Sequence, residues 1–370
     1  MNLPTSVSAQ PLDAVSIYDQ SGLEHLWREL RLDLKTLRRL RIDYFKHSVP
    51  LAECINRSLG AHAEQLTNRI HDQALKIESR HDSEIDGATK IILRTSLGYL
   101  VESVILRAST GRTTLCVSSQ VGCAAACQFC ATGSMGIAKD LRSEEIVSQL
   151  AHANQILSTE NRRVRNVVFM GMGEPLHNLE QVHHALRTLT SPTLFHHPPQ
   201  KILLSTVGVI DALVETCEEF PSVNYALSLH SASQRVRESI IPLASRYPVD
   251  YLRDAIVDLN RIQSGRTSVM IEYLMLDRIN DSEDDAKQLV QWLSGLRVHL
   301  NLIPFNRVQG VVDLHPSPRD RIEAFARHMK AMKVPTTIRY SMGQDIEAAC
   351  GQLVRKENKS IAKRLLQGNV

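Results

Sequence analysis

Apolar residues in this 370-residue chain gather into six short runs, at 114–117, 167–170, 202–205, 224–229, 269–275 and 299–303. Between them lie stretches whose apolar positions recur at helical spacing, among them 143–157, 179–189 and 283–296. Each interval between runs has room for a crossover helix, so the alternation predicts a parallel sheet. Six strand–helix units make an α/β fold in the form of an incomplete (β/α)6 barrel. Upstream, 90–93 and 101–106 flank Ser96-Leu97-Gly98 and predict an antiparallel hairpin extension. Residues from about 20 to 85 instead alternate leucine with charge at helical period, without a strong strand signal, and predict a small helical module. Paired prolines after Thr193-Leu-Phe-His-His mark a loop. The chain thus divides into a helical module over 1–87, a core over 88–353 and a basic tail over 354–370.

A hydrophobic content of 43% at this length can bury a large core and suits one big α/β domain plus a smaller module. The opening MNLPTSVSAQPLDAVS has no basic segment followed by an apolar one, and no later apolar run approaches membrane-spanning length. The expectation is a cytoplasmic monomer with no membrane partner. Net charge is only +3, so the total does not announce nucleic-acid binding. The distribution is more telling: between Arg28 and Lys46, Arg31, Lys35, Arg38, Arg39 and Arg41 interleave with Leu26, Leu30, Leu34 and Leu37, which predicts one amphipathic helix with a basic face. A solvated helix face and a phosphate-contacting one both fit that pattern. The segment 355–364 repeats it. Seven cysteines, clustered rather than spread, argue against a secreted disulfide framework. Cys54 and Cys217 fall in helical patterns and are expected to be packing residues.

Three other thiols carry the chemistry. Cys123, Cys127 and Cys130, in CxxxCxxC spacing, end a predicted strand and open a glycine-containing loop. Three ligands are one too few for a closed metal site. On an iron–sulfur cluster, normally held by four thiolates, they leave one iron open to another ligand such as S-adenosylmethionine (SAM). A structural zinc site with a fourth ligand elsewhere, or unrelated buried thiols, fit the spacing as well.

The stretch from Leu115 to Leu141, LCVSSQVGCAAACQFCATGSMGIAKDL, resembles the signature of the RlmN/Cfr family of radical SAM RNA (adenine) methyltransferases. FMGMGEPL from Phe169, LLSTVGVI from Leu203, SLHSAS from Ser228, EYLML from Glu272, NLIPFN from Asn301 and DIEAACGQL from Asp345 resemble the same family in the same order. The resemblance implies a partial (β/α)6 radical SAM barrel, a [4Fe-4S] cluster on the cysteine trio and two SAM molecules per turnover. It carries Gly173, Glu174, Ser205, Ser228, Leu229, His230 and Asn306 over as SAM contacts. It makes Cys350 the methyl-carrying thiol, Cys116 the resolving thiol and Glu102 the proton acceptor. From the residues alone, His230 is equally a core histidine, the serines are helix caps, Cys350 is a small packing residue in a helical context and Glu102 is an exposed strand glutamate.

The implied chemistry follows from the substrate: an adenine ring carbon is electrophilic, so it cannot attack the methyl of SAM directly. By resemblance, Cys350 first takes a methyl from one SAM. A 5′-deoxyadenosyl radical from a second SAM removes hydrogen from that methyl, and the methylene radical adds to the base. Glu102 removes the ring proton, and Cys116 attacks the Cys350 sulfur, leaving a disulfide for an external reductant. An external electron donor is implied too. The expected target is an adenosine in the peptidyl-transferase region of 23S rRNA, with tRNA as a second candidate and carbon 2 preferred over carbon 8. Three departures bear on that substrate: Ser341-Met342-Gly343 stands where carbon 2 enzymes commonly read Thr-Arg-Gly, Arg307 replaces the proline that commonly follows Asn306, and the N-terminal module lacks an obvious match to the usual family opening. A radical SAM enzyme with another substrate, and a noncatalytic zinc and RNA-binding protein, remain the alternatives.

Overall fold

The computed structural model describes residues 14–72, 74–265, 267–308, 313–353 and 357–366. Residues 1–13 at the chain start, and Arg355 and Lys356 of the basic tail, lie outside them. The N-terminal module packs α1 (Gln20–Glu29), α2 (Leu34–His47), α3 (Leu51–Leu59) and α4 (Ala63–Thr67) between two parallel two-residue strands, β1 (Val15–Ser16) and β2 (Ile70–His71). Asp19 and Asp33 cap α1 and α2 by accepting from Gly22 N and Lys35 N. The expected single amphipathic helix is therefore two, broken where Arg31 takes φ 54°. Leu37, Leu40, Tyr44 and Phe45 face the core of α2, and Arg41 is buried with them, its guanidinium 5.7 Å from the Phe45 ring. Arg31, Lys35, Arg38 and Arg39 remain exposed, so Arg41 drops out of the basic face.

Residues 75–82, expected to be helical, form β3 (Leu75–Asp82), which pairs antiparallel with β4 (Ala88–Thr95) and through it with β5 (Leu100–Arg107). Only Leu75 of β3 is buried, so the strand has no alternating apolar face. Its ladder to β4 and an Arg94–Glu78 pair at 2.6 Å hold it instead. The helical module accordingly ends near residue 72, not 87. The expected hairpin is present as β4 and β5, longer than predicted at both ends.

Next come β6 (Thr113–Cys116) and a small antiparallel hairpin of β7 (Gln120–Cys123) and β8 (Gly136–Asp140). The crossovers then run α5 (Ser143–Ser158), β9 (Asn166–Phe169), α6 (Leu179–Thr190), β10 (Ile202–Thr206), α7 (Ile210–Glu219), β11 (Asn224–Ser228), α8 (Gln234–Ile240), α9 (Val249–Ile262), β12 (Val269–Met275), α10 (Glu283–Leu293), β13 (Val298–Pro304), α11 (Arg319–Ala331) and β14 (Thr336–Ile338). The chain closes with α12 (Glu357–Leu366). One ten-stranded sheet has the order β14-β13-β12-β11-β10-β9-β6-β5-β4-β3. From β6 to β14 every pairing is parallel. The six expected barrel strands are β6 and β9 to β13; β14, three residues long, is a seventh that the apolar runs did not reveal. Cys54 and Cys217 are buried in α3 and α7, as expected. The loop after α6 sends Phe195 edge-on to Phe45 at 5.0 Å, joining the helical module to the barrel.

Candidate active site

Parallel barrels gather chemistry at the C-terminal ends of their strands, where the connecting loops are free to vary. A cavity of about 160 Å³ lies there, lined by the three cysteines of the trio, Gly173, Glu174, Ser205, Ser228, His230 and Cys350. Gly173 has φ 104°, and a Cβ on it would stand 2.6 Å from Gln120 Cβ, so this turn accepts only glycine. That close approach lets Gln120 Oε1 accept from Glu174 N at 2.9 Å. The Glu174 carboxylate accepts from Leu176 N at 3.0 Å and Val207 N at 2.9 Å, tying the loop after β9 to that after β10. Burial pushes it up to about 7 despite those donors. Ser205 and Ser228 end neighbouring strands with their hydroxyls 3.5 Å apart.

His230 takes φ 59°, which turns its ring into the cavity. Nδ1 accepts from Leu274 N at 3.0 Å, leaving Nε2 as the protonated nitrogen. Burial first, then the nearby Arg237, pushes the imidazole down to about 3, so it is neutral. Its ring meets Phe129 edge-on at 4.8 Å, which braces the cysteine loop against β11. Beneath lies Arg237, fully buried and donating to Val207 O, to Ser228 O at 3.3 Å and to Leu229 O at 3.1 Å. It keeps a positive charge near Cys127.

These residues could hold a cluster. Among the described residues no three His, Cys, Asp or Glu side chains converge as one metal ion would require. All three thiols nevertheless face one cavity, and a buried cation stands behind them to balance anionic sulfur. Burial raises each of the three thiols above its ordinary range.

A second cavity, of about 100 Å³, is lined by Val104, Leu106, Cys116, Val168, Tyr340, Met342 and Cys350, among others. Cys350, Met170 and Arg339 belong to the walls of both cavities. The Cys350 charge in the first place, and those of Glu272 and Cys116, raise the Arg339 guanidinium; it stays cationic between the two thiols. Burial pushes Cys116 up to about 12, and Arg339 pulls against that.

Three predicted residues line neither cavity. Leu229 is fully buried, with its N–H directed to Leu227 O and Glu272 O. Asn306 Nδ2 donates to Ser341 Oγ at 2.9 Å and Cys350 O at 3.2 Å, so it fixes the Cys350 loop from behind. Glu102 is buried rather than exposed, 3.7 Å from Lys90 Nζ, and lies two positions before Val104 on the same face of β5. The segment around Cys350 is a series of turns, not the helix its alanines suggested. It is held by the β3–β4 turn: Asp345 accepts from Ser83 Oγ at 2.8 Å and Glu84 N at 3.0 Å, while Asp86 accepts from Gly343 N at 2.8 Å. Three site residues had no separate signal in the sequence, Arg237, Arg339 and Glu272. Glu272 sits in the EYLML motif, and its Oε2 has no hydrogen-bond partner among the described residues.

Fold and site together define a radical SAM enzyme, and residues 117–290 match the radical SAM superfamily. The chain is 50% identical over 349 residues to a probable RNA methyltransferase of Rhodopirellula baltica, covering 94% of this chain and 90% of that protein. It is 39% identical over 290 residues to the dual-specificity RNA methyltransferase RlmN of Syntrophobacter fumaroxidans, covering 78% of this chain and 83% of that protein. The crystal structure of a radical SAM methyltransferase from Sphaerobacter thermophilus superposes with a TM-score of 0.84 at 30% identity, over 93% of this chain and 99% of that one. The chain belongs to the RlmN family of radical SAM RNA methyltransferases. It is a SAM-dependent enzyme whose superfamily uses a [4Fe-4S] cluster.

Proposed function

We propose that this enzyme methylates an adenine ring carbon, carbon 2 in preference to carbon 8, in 23S rRNA or tRNA, with Cys350 as the methyl carrier and Cys116 as the releasing thiol. The observation that carries this reading is the place of Cys350 in the wall common to both cavities. A thiol that must meet a SAM methyl on one side and a nucleobase on the other needs such a place. Cys123, Cys127 and Cys130 would hold the cluster, which when bound supplies the electron for reductive cleavage of SAM to a 5′-deoxyadenosyl radical. Glu174, Ser205, Ser228 and His230 would seat SAM, and one SAM would be spent on Cys350 and a second on the radical.

The chain's own residues then have distinct tasks. Cys350 takes the methyl of SAM on its sulfur, in a cavity wall it shares with Arg339. Glu102 takes the ring proton from the base once carbon is bonded to it, with Lys90 steadying its carboxylate. Cys116 attacks the Cys350 sulfur, and the resulting disulfide needs an external reductant. Arg31, Lys35, Arg38 and Arg39 would contact phosphates.

Anaerobic incubation with methyl-labelled SAM and ribosomal RNA, followed by nucleoside mass spectrometry, tests base and carbon at once. Cys350→Ala should label neither protein nor RNA. Cys116→Ala should accumulate a covalent, nuclease-sensitive protein–RNA band on a denaturing gel. Normal turnover by Cys116→Ala would overturn the release step.

A further inference from the structure

The second cavity has a mouth that the proposed chemistry leaves unexplained. Its inner wall is apolar, from Val104, Leu106 and Val168, and both free thiols open onto it. At its rim, just past the C-terminal end of β14, stands Tyr340, the only aromatic side chain among the described lining residues. Tyr340 is 56% exposed, although burial of an aromatic is ordinarily favourable. A large ring left in water at the entrance of an apolar cavity contributes little to the fold and much to whatever enters. A base drawn from its RNA loses stacking on both faces, and an aromatic platform replaces part of that loss.

We propose that Tyr340 is the stacking platform on which an RNA purine rests as it enters the second cavity between Cys116 and Cys350. This rests on the reading of the enzyme as an adenine methyltransferase and adds the residue that receives the base. The contact is made by the π face, so the hydroxyl is dispensable and the ring is not.

The test uses the full-length protein and a single-stranded RNA heptamer carrying one central 2-aminopurine, whose fluorescence falls on stacking. Wild type and Tyr340→Phe should bind the probe alike and quench it alike. Tyr340→Ala should bind it about 5- to 150-fold more weakly, the range for loss of one base–aromatic stack, with the quenching gone. Equal affinity and quenching in Tyr340→Ala overturn the proposal, as does an absence of quenching in the wild type. Equal losses in Tyr340→Phe and Tyr340→Ala overturn it too, because they would assign the contact to the hydroxyl. Adenine methylation assays separate this from the broader reading. Wild type that quenches the probe yet methylates no adenine sinks the activity and keeps the platform. Tyr340→Ala that methylates adenine with an unchanged KM for RNA sinks the platform and keeps the activity.

Discussion

His197 is buried in the turn region after α6, its Nε2 has no hydrogen-bond partner among the described residues, and burial pushes its imidazole down to about 4. A free imidazole titrates near 6.5, so below that pH the unfolded chain binds a proton the folded chain refuses, and stability falls as pH falls. Between pH 7 and pH 5 this one group should withdraw about 2 kcal/mol. Glu174 acts with the opposite sign: its folded value is raised to about 7, so its contribution declines as pH rises from the carboxylate range towards neutrality. The readout is therefore a difference. From pH 7 to pH 5 the urea midpoint should fall less in His197→Gln than in wild type, and parallel profiles for the two proteins would show that His197 accepts its proton in the fold. Single residues are also where sequence reading reaches its limit. Glu174 and His230 sit in ordered motifs and line the cavity, whereas Arg237 and Arg339 each stand alone in the sequence. Nothing in an isolated arginine says that it lies under a cysteine loop.

At the scale of elements, the turn between β3 and β4 grips the loop that carries Cys350 through Ser83, Glu84 and Asp86. Lys90 on β4 adds a fourth hold by donating to Glu347 O at 3.3 Å. The antiparallel extension is thus the mount for the loop of Cys350, more than 250 residues downstream. Asp345→Ala removes two of these bonds at an exposed position, so the melting temperature should barely move while amide exchange across 341–352 accelerates and methyl transfer to Cys350 slows. Unchanged exchange would mean that Lys90 and Asp86 suffice. The parallel core was legible to within one or two residues, because strands buried on both faces read as continuous apolar runs. β3 was not, because its contacts are backbone bonds and surface ion pairs that leave no periodic trace. The break between α1 and α2 was missed for another reason: leucines continue at helical spacing across a turn fixed only by the left-handed Arg31 and the Asp33 cap.

For the whole molecule, charge is sorted by place rather than by total. Arg31, Lys35, Arg38 and Arg39 are exposed on the N-terminal module, while the cations of the barrel site, Arg237 and Arg339, are turned inward. Neutralising the four exposed residues together should weaken RNA binding at every sequence and reduce the slope of log affinity against log salt by about 0.7 to 0.9 per lost phosphate contact. An unchanged slope would return this face to solvent. Among the described residues the ten-stranded sheet ends in β14 and β3, and an edge strand offers unpaired backbone groups to any passing strand. β14 limits that offer by being three residues long. On the other side β3 presents Lys76, Glu78, Arg80 and Asp82 around a bulge between Ile77 and Ser79. An incoming strand would have to strip water from four charges and follow a bent register. The polarity that conceals β3 in the hydrophobic pattern thus also makes this edge a poor template for strand addition.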